Sequence, residues 1–189
     1  MNNMKLGTKL AVGFGICILV IVALSGSTIF QLKKLTRIQD EGASRAADAI
    51  VAMSAAALGN DTYSVIADAI INRDMDGTMR DWAVLKEENR KRLAAVAAIV
   101  DTPEEREWQK KAQADYDEMV AHFEKDIMAL IKSGGDAEKI SAIDSEIDKH
   151  KSGIYENLAA ISESLKKESE AADAAFDATG ESLIVFSIA

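Results

Sequence analysis

Three polar side chains interrupt otherwise apolar helical stripes: Asn60, Asn89 and His150. Counted at 1.5 Å per residue from the turns near Asp76 and Gly135, Asn60 and His150 lie roughly 21 Å, and Asn89 roughly 18 Å, from the same end of the molecule. A buried polar group without a partner costs about 1–3 kcal/mol. Three at one height therefore either bond one another and fix helix register, as polar seam residues do in coiled coils, or line a pocket for a small polar ligand. Tyr63, Met119 and Phe123 fall near that level, and Arg92 and Lys151 are close enough in sequence to supply positive charge for a carboxylate. A second candidate is the end itself, where Arg73 and Arg80 flank one turn and Lys132 and Lys139 the other.

These residue types bind; they do not form a catalytic constellation. No P-loop, Rossmann or GxSxG pattern occurs. The two histidines, His122 and His150, stand without an HExxH, a paired Glu-x-x-His or a cysteine ligand, so no zinc or di-iron site is expected. A covalent haem is excluded by the absence of CxxCH. Asp74 and Asp76 lack the other ligands of a calcium loop. No cofactor is expected.

The elements that must position these residues are helices. The 189 residues include one proline, 28% charged side chains and no alternating β-type run, a composition of long helices. The net charge of −9 without a basic block argues against nucleic acid as a partner. Leu10–Leu32 carries no formal charge and is bracketed by Lys5, Lys9, Lys33 and Lys34. A bilayer core needs about 20 such residues in a helix. The alternative is a signal peptide cut near Ala23-Leu24-Ser25; the uncharged run and the helical periodicity both continue past that point. Lys5 and Lys9 on one side against Lys33, Lys34 and Arg37 on the other give no orientation by charge.

A first helix continues from the membrane stretch to Asp74 with a seam of mainly small residues, among them Ala46, Ala49, Met53, Ala56, Asn60, Tyr63 and Ala67, suited to packing against a copy of itself or a close neighbour. A turn at Arg73–Gly77 leads to a second helix, opened by Thr78 with Asp81 and striped by Trp82, Leu85, Asn89, Arg92 or Leu93, Val96 and Ile99. Thr102-Pro103-Glu104-Glu105 is a capping box with proline at the first helical position, opening a third helix. That helix runs to about Ser133 with stripe Ala112, Tyr116, Met119, Phe123, Ile127 and Leu130, and Gly134-Gly135 ends it. Asp136 caps a fourth, striped by Ile140, Ile143, Ile147, Ile154, Leu158, Ile161 and Leu165. Apolar Leu183–Ala189 reads as the first turns of a second membrane helix, or as an apolar tail. The expected fold is all-α: a membrane helix continuous with an up-down-up-down four-helix bundle.

The opening Met4-Lys5-Leu6-Gly7-Thr8-Lys9-Leu10-Ala11-Val12-Gly13-Phe14-Gly15 and the segment Thr102-Pro103-Glu104-Glu105-Arg106 resemble the N-terminal sensory half of bacterial methyl-accepting chemotaxis proteins with a four-helix-bundle ligand-binding domain. The resemblance implies a cytoplasmic N-terminus (residues 1–9), a membrane helix (10–32), a periplasmic sensor (33–179) and the start of a second membrane helix (183–189). It also implies an inner-membrane homodimer packed through the first helix, and a helix displacement on binding a small polar ligand such as an organic acid or amino acid. Family receptors often hold such ligands with arginines of the first helix; Arg45 and Arg73 are the arginines there beyond its first turn. The linker, methylation helices and kinase-contact tip have no counterpart in these residues, so a sensory part of a larger receptor is expected. The same module also occurs on histidine kinases and diguanylate cyclases, and an exported helical binding protein remains the alternative if the N-terminal stretch is removed.

Overall fold

The computed structural model describes residues 5–73 and 75–188. Asp74, expected in the turn, and Met4 and Ala189 lie outside the described residues. The chain is all-helical, at 94% helix, with no strand among the described residues. In order come α1 (Leu6–Ala55), α2 (Leu58–Asn72), α3 (Met75–Ile99), α4 (Pro103–Ala121), a π-helical stretch His122–Ile127, α5 (Met128–Lys132) and α6 (Ala137–Ile188). Two compact units divide them: residues 44–168, and the residues before 44 with those after 168.

In the unit of residues 44–168, one apolar core gathers every helical run. α6 contributes Ile140, Ile147, Ile154, Leu158, Ile161 and Leu165, spaced to keep one face inward. α4, the π stretch and α5 contribute Ala112, Tyr116, Met119, Phe123, Ile127 and Ile131. α3 contributes Trp82, Leu93 and Val96. Against these large side chains, α1 and α2 set mainly small ones: Ala49, Ala52, Ala55, Ala56 and Ala69, with Leu58 and Ile66. The small residues bring backbones together. A Cβ on Gly59 would stand 3.2 Å from the Lys151 carbonyl oxygen of α6, and Ser162 Oγ donates to the Ala49 carbonyl at 2.8 Å.

Three local expectations are corrected. The first helix does not run unbroken to Asp74: it turns at Ala56–Ala57, where the Ala56 N–H is shared between the Ala52 and Met53 carbonyls at 3.1 and 3.2 Å. The inward face then passes through Ala49, Ala52, Ala55, Leu58, Gly59, Thr62, Ile66 and Ala69, whereas Met53 and Asn60 are exposed. Thr78 does not open the second helix. That helix starts at Met75, which packs on the core, and Thr78 is buried within it. Third, the third helix is not uniform: at its middle the Met128 N–H reaches back five residues to the Phe123 carbonyl, the wide turn of a π-helix.

Other signals hold as read. Thr102 Oγ1 accepts from the Glu105 N–H at 3.2 Å while Glu105 Oε2 accepts from the Thr102 N–H at 3.3 Å. Gly134 and Gly135 take positive φ, 106° and 75°, which glycine adopts without a Cβ clash. Asp136 Oδ1 accepts from the Lys139 N–H at 3.2 Å.

In the other unit, α1 and α6 meet where Gly42 faces Ala172; a Cβ on Gly42 would lie 3.0 Å from the Ala172 Cβ. One helix among the described residues is long and apolar enough to cross a membrane, and its apolar window is not buried against protein. Phe14, Leu19 and Phe30 are all more than two-thirds exposed.

Phe123 is sealed in the core and tilts against Trp82 with ring centroids 4.3 Å apart. Phe123→Ala should cost about 3–5 kcal/mol, read as a lower thermal midpoint with the helical circular dichroism retained at low temperature.

Candidate functional site

The residues singled out above do not form one layer. Asn60 is exposed, outside the core, so the set Asn60–Asn89–His150 is not assembled. Met53, ahead of the turn at Ala56–Ala57, is already exposed: the helix packs through the phase of Ala52, Ala55 and Gly59, which leaves Asn60 outside. Asn89 is sealed, and its Nδ2 donates to Thr62 Oγ1 at 2.9 Å. Thr62 in turn donates to the Leu58 carbonyl at 2.6 Å. The Tyr116 phenol is raised by burial first, and the neighbouring Asn89 amide partly offsets this. Thr62 was not picked out as Asn89's partner, because the two sit on different helices and nothing local in the sequence links them.

The cations sort into those with and those without carboxylate partners. Arg92 is held by Asp61 at 2.7 Å and Glu88 at 3.2 Å. Lys151 bonds Asp148 at 2.6 Å and lies 4.3 Å above the centre of the Tyr63 ring. Lys139 pairs with Asp136 at 3.3 Å. Arg73 makes no ion pair among the described residues. It ends α2 with φ 55°, its N–H bonded to the Ala69 carbonyl at 3.1 Å. Its guanidinium lies against Gly135, where a Cβ would be 2.8 Å from a guanidinium nitrogen.

Arg73 borders a groove of about 380 Å³ between α2 and α6 that also takes in Tyr63, Ile70, Ile140 and Asp144. The Tyr63 phenol faces Asp144; burial first, then the Asp144 carboxylate, then Asp148, push its pKa up. The groove therefore offers a guanidinium, a carboxylate and isoleucine walls together. Asp144 had no signal in the sequence, being one acid among many on α6.

His150 lies on α6, which also borders the groove, but turns elsewhere. Its Nδ1 is 2.9 Å from Asp115 Oδ1, and its ring stands 5.8 Å, centre to centre, from that of His122.

At the other end of this unit, Arg45 gathers carboxylates. It bonds Asp101 and meets Glu168 at 2.8 Å and Asp48 at 3.8 Å. Asp101, Glu105 and Glu168 lie within 4.8 Å of one another. Glu105 is fully buried, and its second oxygen has no hydrogen-bond partner among the described residues.

Comparison with protein families, curated proteins and solved structures finds no match to this chain.

The Glu168 carboxyl is raised above 4.5 by burial first, with Glu105 and Asp101 adding to this against the pull of Arg45. A raised carboxyl leaves the folded state holding its proton longer than the unfolded chain. Stability is therefore lost as pH rises from about 4.5 through the folded value, and the loss persists above it. Glu168→Gln should melt higher than the natural chain at neutral pH, with the gap closing as pH falls through the raised folded value towards about 4.5.

Proposed function

We propose that this chain is the sensory module of a transmembrane chemoreceptor, of the kind its opening residues and its Thr102–Arg106 segment resemble. Its sensor unit sits in the periplasm as an up-down-up-down four-helix bundle made of α1–α2, α3, α4–α5 and α6. It binds a small amphoteric ligand and passes the binding as a helix displacement to a cytoplasmic output part. The observation that carries this reading is the course of two helices. α1 is continuous from Leu6 to Ala55 and α6 from Ala137 to Ile188. The helices that build the sensor core are thus the same ones that continue, in sequence, into the unit holding the uncharged Leu10–Leu32 stretch. In this reading Lys5 and Lys9 face the cytoplasm, and Leu183 and Ile184 begin a second crossing.

Exposed Ile50, Met53 and Ile71 support a homodimer through the first helix. They are 70%, 46% and 76% exposed in the single chain, and apolar side chains this open are suited to a partner surface. The ligand class follows from the groove. The guanidinium of Arg73, without an ion pair among the described residues, suits a carboxylate, Asp144 suits an ammonium, and Ile70 and Ile140 suit an apolar side chain. An α-amino acid with an apolar side chain meets all three. Coupling requires that the ligand prefer one of two arrangements of α6 against α2.

Arg73 separates binding from folding. A non-glycine residue in the left-handed region costs about 1–2 kcal/mol, and glycine relieves it. Arg73→Gly should therefore hold or raise the thermal midpoint while abolishing the midpoint shift produced by apolar amino acids in the natural chain. An equal ligand shift in both proteins would remove the groove from the account.

A further inference from the structure

We propose that His122 and His150 form a binding site for a divalent first-row transition metal, with Zn2+ as its probe. The site is separate from the Arg73 groove and does not depend on the receptor reading. It lies across two helical runs, His122 on the first residue of the π-helical stretch and His150 on α6.

Four features point to it. The ring centres are 5.8 Å apart and the rings tilt by 31°. A zinc–nitrogen bond of about 2.1 Å puts each imidazole centre about 3.2 Å from the ion. Two such rings then lie roughly 5.2 Å apart at the tetrahedral angle and about 6.4 Å apart when opposed. The observed spacing falls between these limits.

Second, each ring is already oriented. His122 Nδ1 is 3.0 Å from Asp126 Oδ2, and His150 Nδ1 is 2.9 Å from Asp115 Oδ1. An ionised carboxylate only accepts, so Nδ1 carries the hydrogen in each neutral ring and Nε2 keeps its lone pair. Neither Nε2 has a hydrogen-bond partner among the described residues. A carboxylate behind each metal-binding histidine is the usual second support of such a site, fixing the tautomer and raising basicity.

Third, a further ligand stands close by. Glu146 precedes His150 by one helical turn on α6. Glu146 now bonds Lys149 Nζ at 2.7 Å; swung from that exposed lysine it would complete a His2Glu set, with water in the fourth position.

Fourth, the π turn has a place in this. It lets Phe123 enter the core fully while the preceding His122 stays half-buried on the side of α6. Such widened turns occur often at functional sites. The sequence alone set metal aside because the two histidines are far apart along the chain and share no motif. The fold supplies the proximity.

The test uses the full chain in detergent, without a polyhistidine tag, titrated with ZnCl2 by calorimetry and with CoCl2 by visible absorption. The account predicts saturable uptake of one Zn2+ per chain near neutral pH, and a tetrahedral or five-coordinate Co2+ spectrum. Affinity should fall at least tenfold in His122→Gln and in His150→Gln, each checked for folding by circular dichroism. Asp115→Asn should weaken binding roughly 10- to 100-fold while leaving both imidazoles in place. Gly153→Ala should act on the same bond from outside, because its new Cβ would meet the Asp115 carboxylate. Absence of saturable uptake by the natural chain would overturn the proposal. So would unchanged affinity in the folded double variant His122→Gln/His150→Gln.

Discussion

The close approach of α6 to the small-residue face of α1 and α2 is the contact on which the unit of residues 44–168 depends. Ile147, Ile154, Leu158, Ile161 and Leu165 are all fully buried. They face Ala49, Ala52, Ala55, Ala56 and Gly59, which leave room for backbone contact. Interiors are packed as densely as organic crystals, so neither face can change size without the other. The Ser162 bond to the Ala49 carbonyl sets the register of the two helices at this contact.

Polar groups inside the core do a different task. Asn89, Thr62 and Tyr116 are buried together, with one bond between Asn89 and Thr62 and a phenol raised by burial. Buried polar groups weaken a core relative to hydrocarbon but penalise every arrangement in which they lose their partners. Asn89, Thr62 and Tyr116 are enclosed in the core, whereas Arg73 is exposed. The carboxylates around Arg45 add a third polar cluster, where net negative charge is held together by one guanidinium.

Much of this was legible in the sequence wherever large side chains mark a face. Ile140, Ile147, Ile154, Leu158, Ile161 and Leu165 on α6, and Ala112 through Ile127 on the third run, were read at positions that are buried, while Ile143 is only half-buried. The Thr102–Glu105 capping box and the glycines after α5 were legible because each meets a local backbone need. α1 and α2 were not, because alanine lies on several sides of the helix and fits two phases equally; the choice between Met53 with Asn60 and Ala52 with Ala55 rests on packing against α6. The π stretch has no sequence signature, and past it the buried residue is Ile131, with Leu130 only half-buried. Of the candidate site, Tyr63 and Arg73 do come together at one groove, whereas Asn60, Asn89 and His150 part ways. Asp115, Asp144 and the Arg45 cluster needed the fold, since their partners lie on other helices.

The central claim is that a retained membrane helix at Leu10–Leu32 tethers the sensor unit. Alkaline extraction of membranes from cells making the full chain, followed by N-terminal sequencing, tests it most directly. The account predicts that the chain stays in the membrane pellet with its residues before Leu10 intact. A chain released into the soluble fraction and beginning near Gly26 would contradict it.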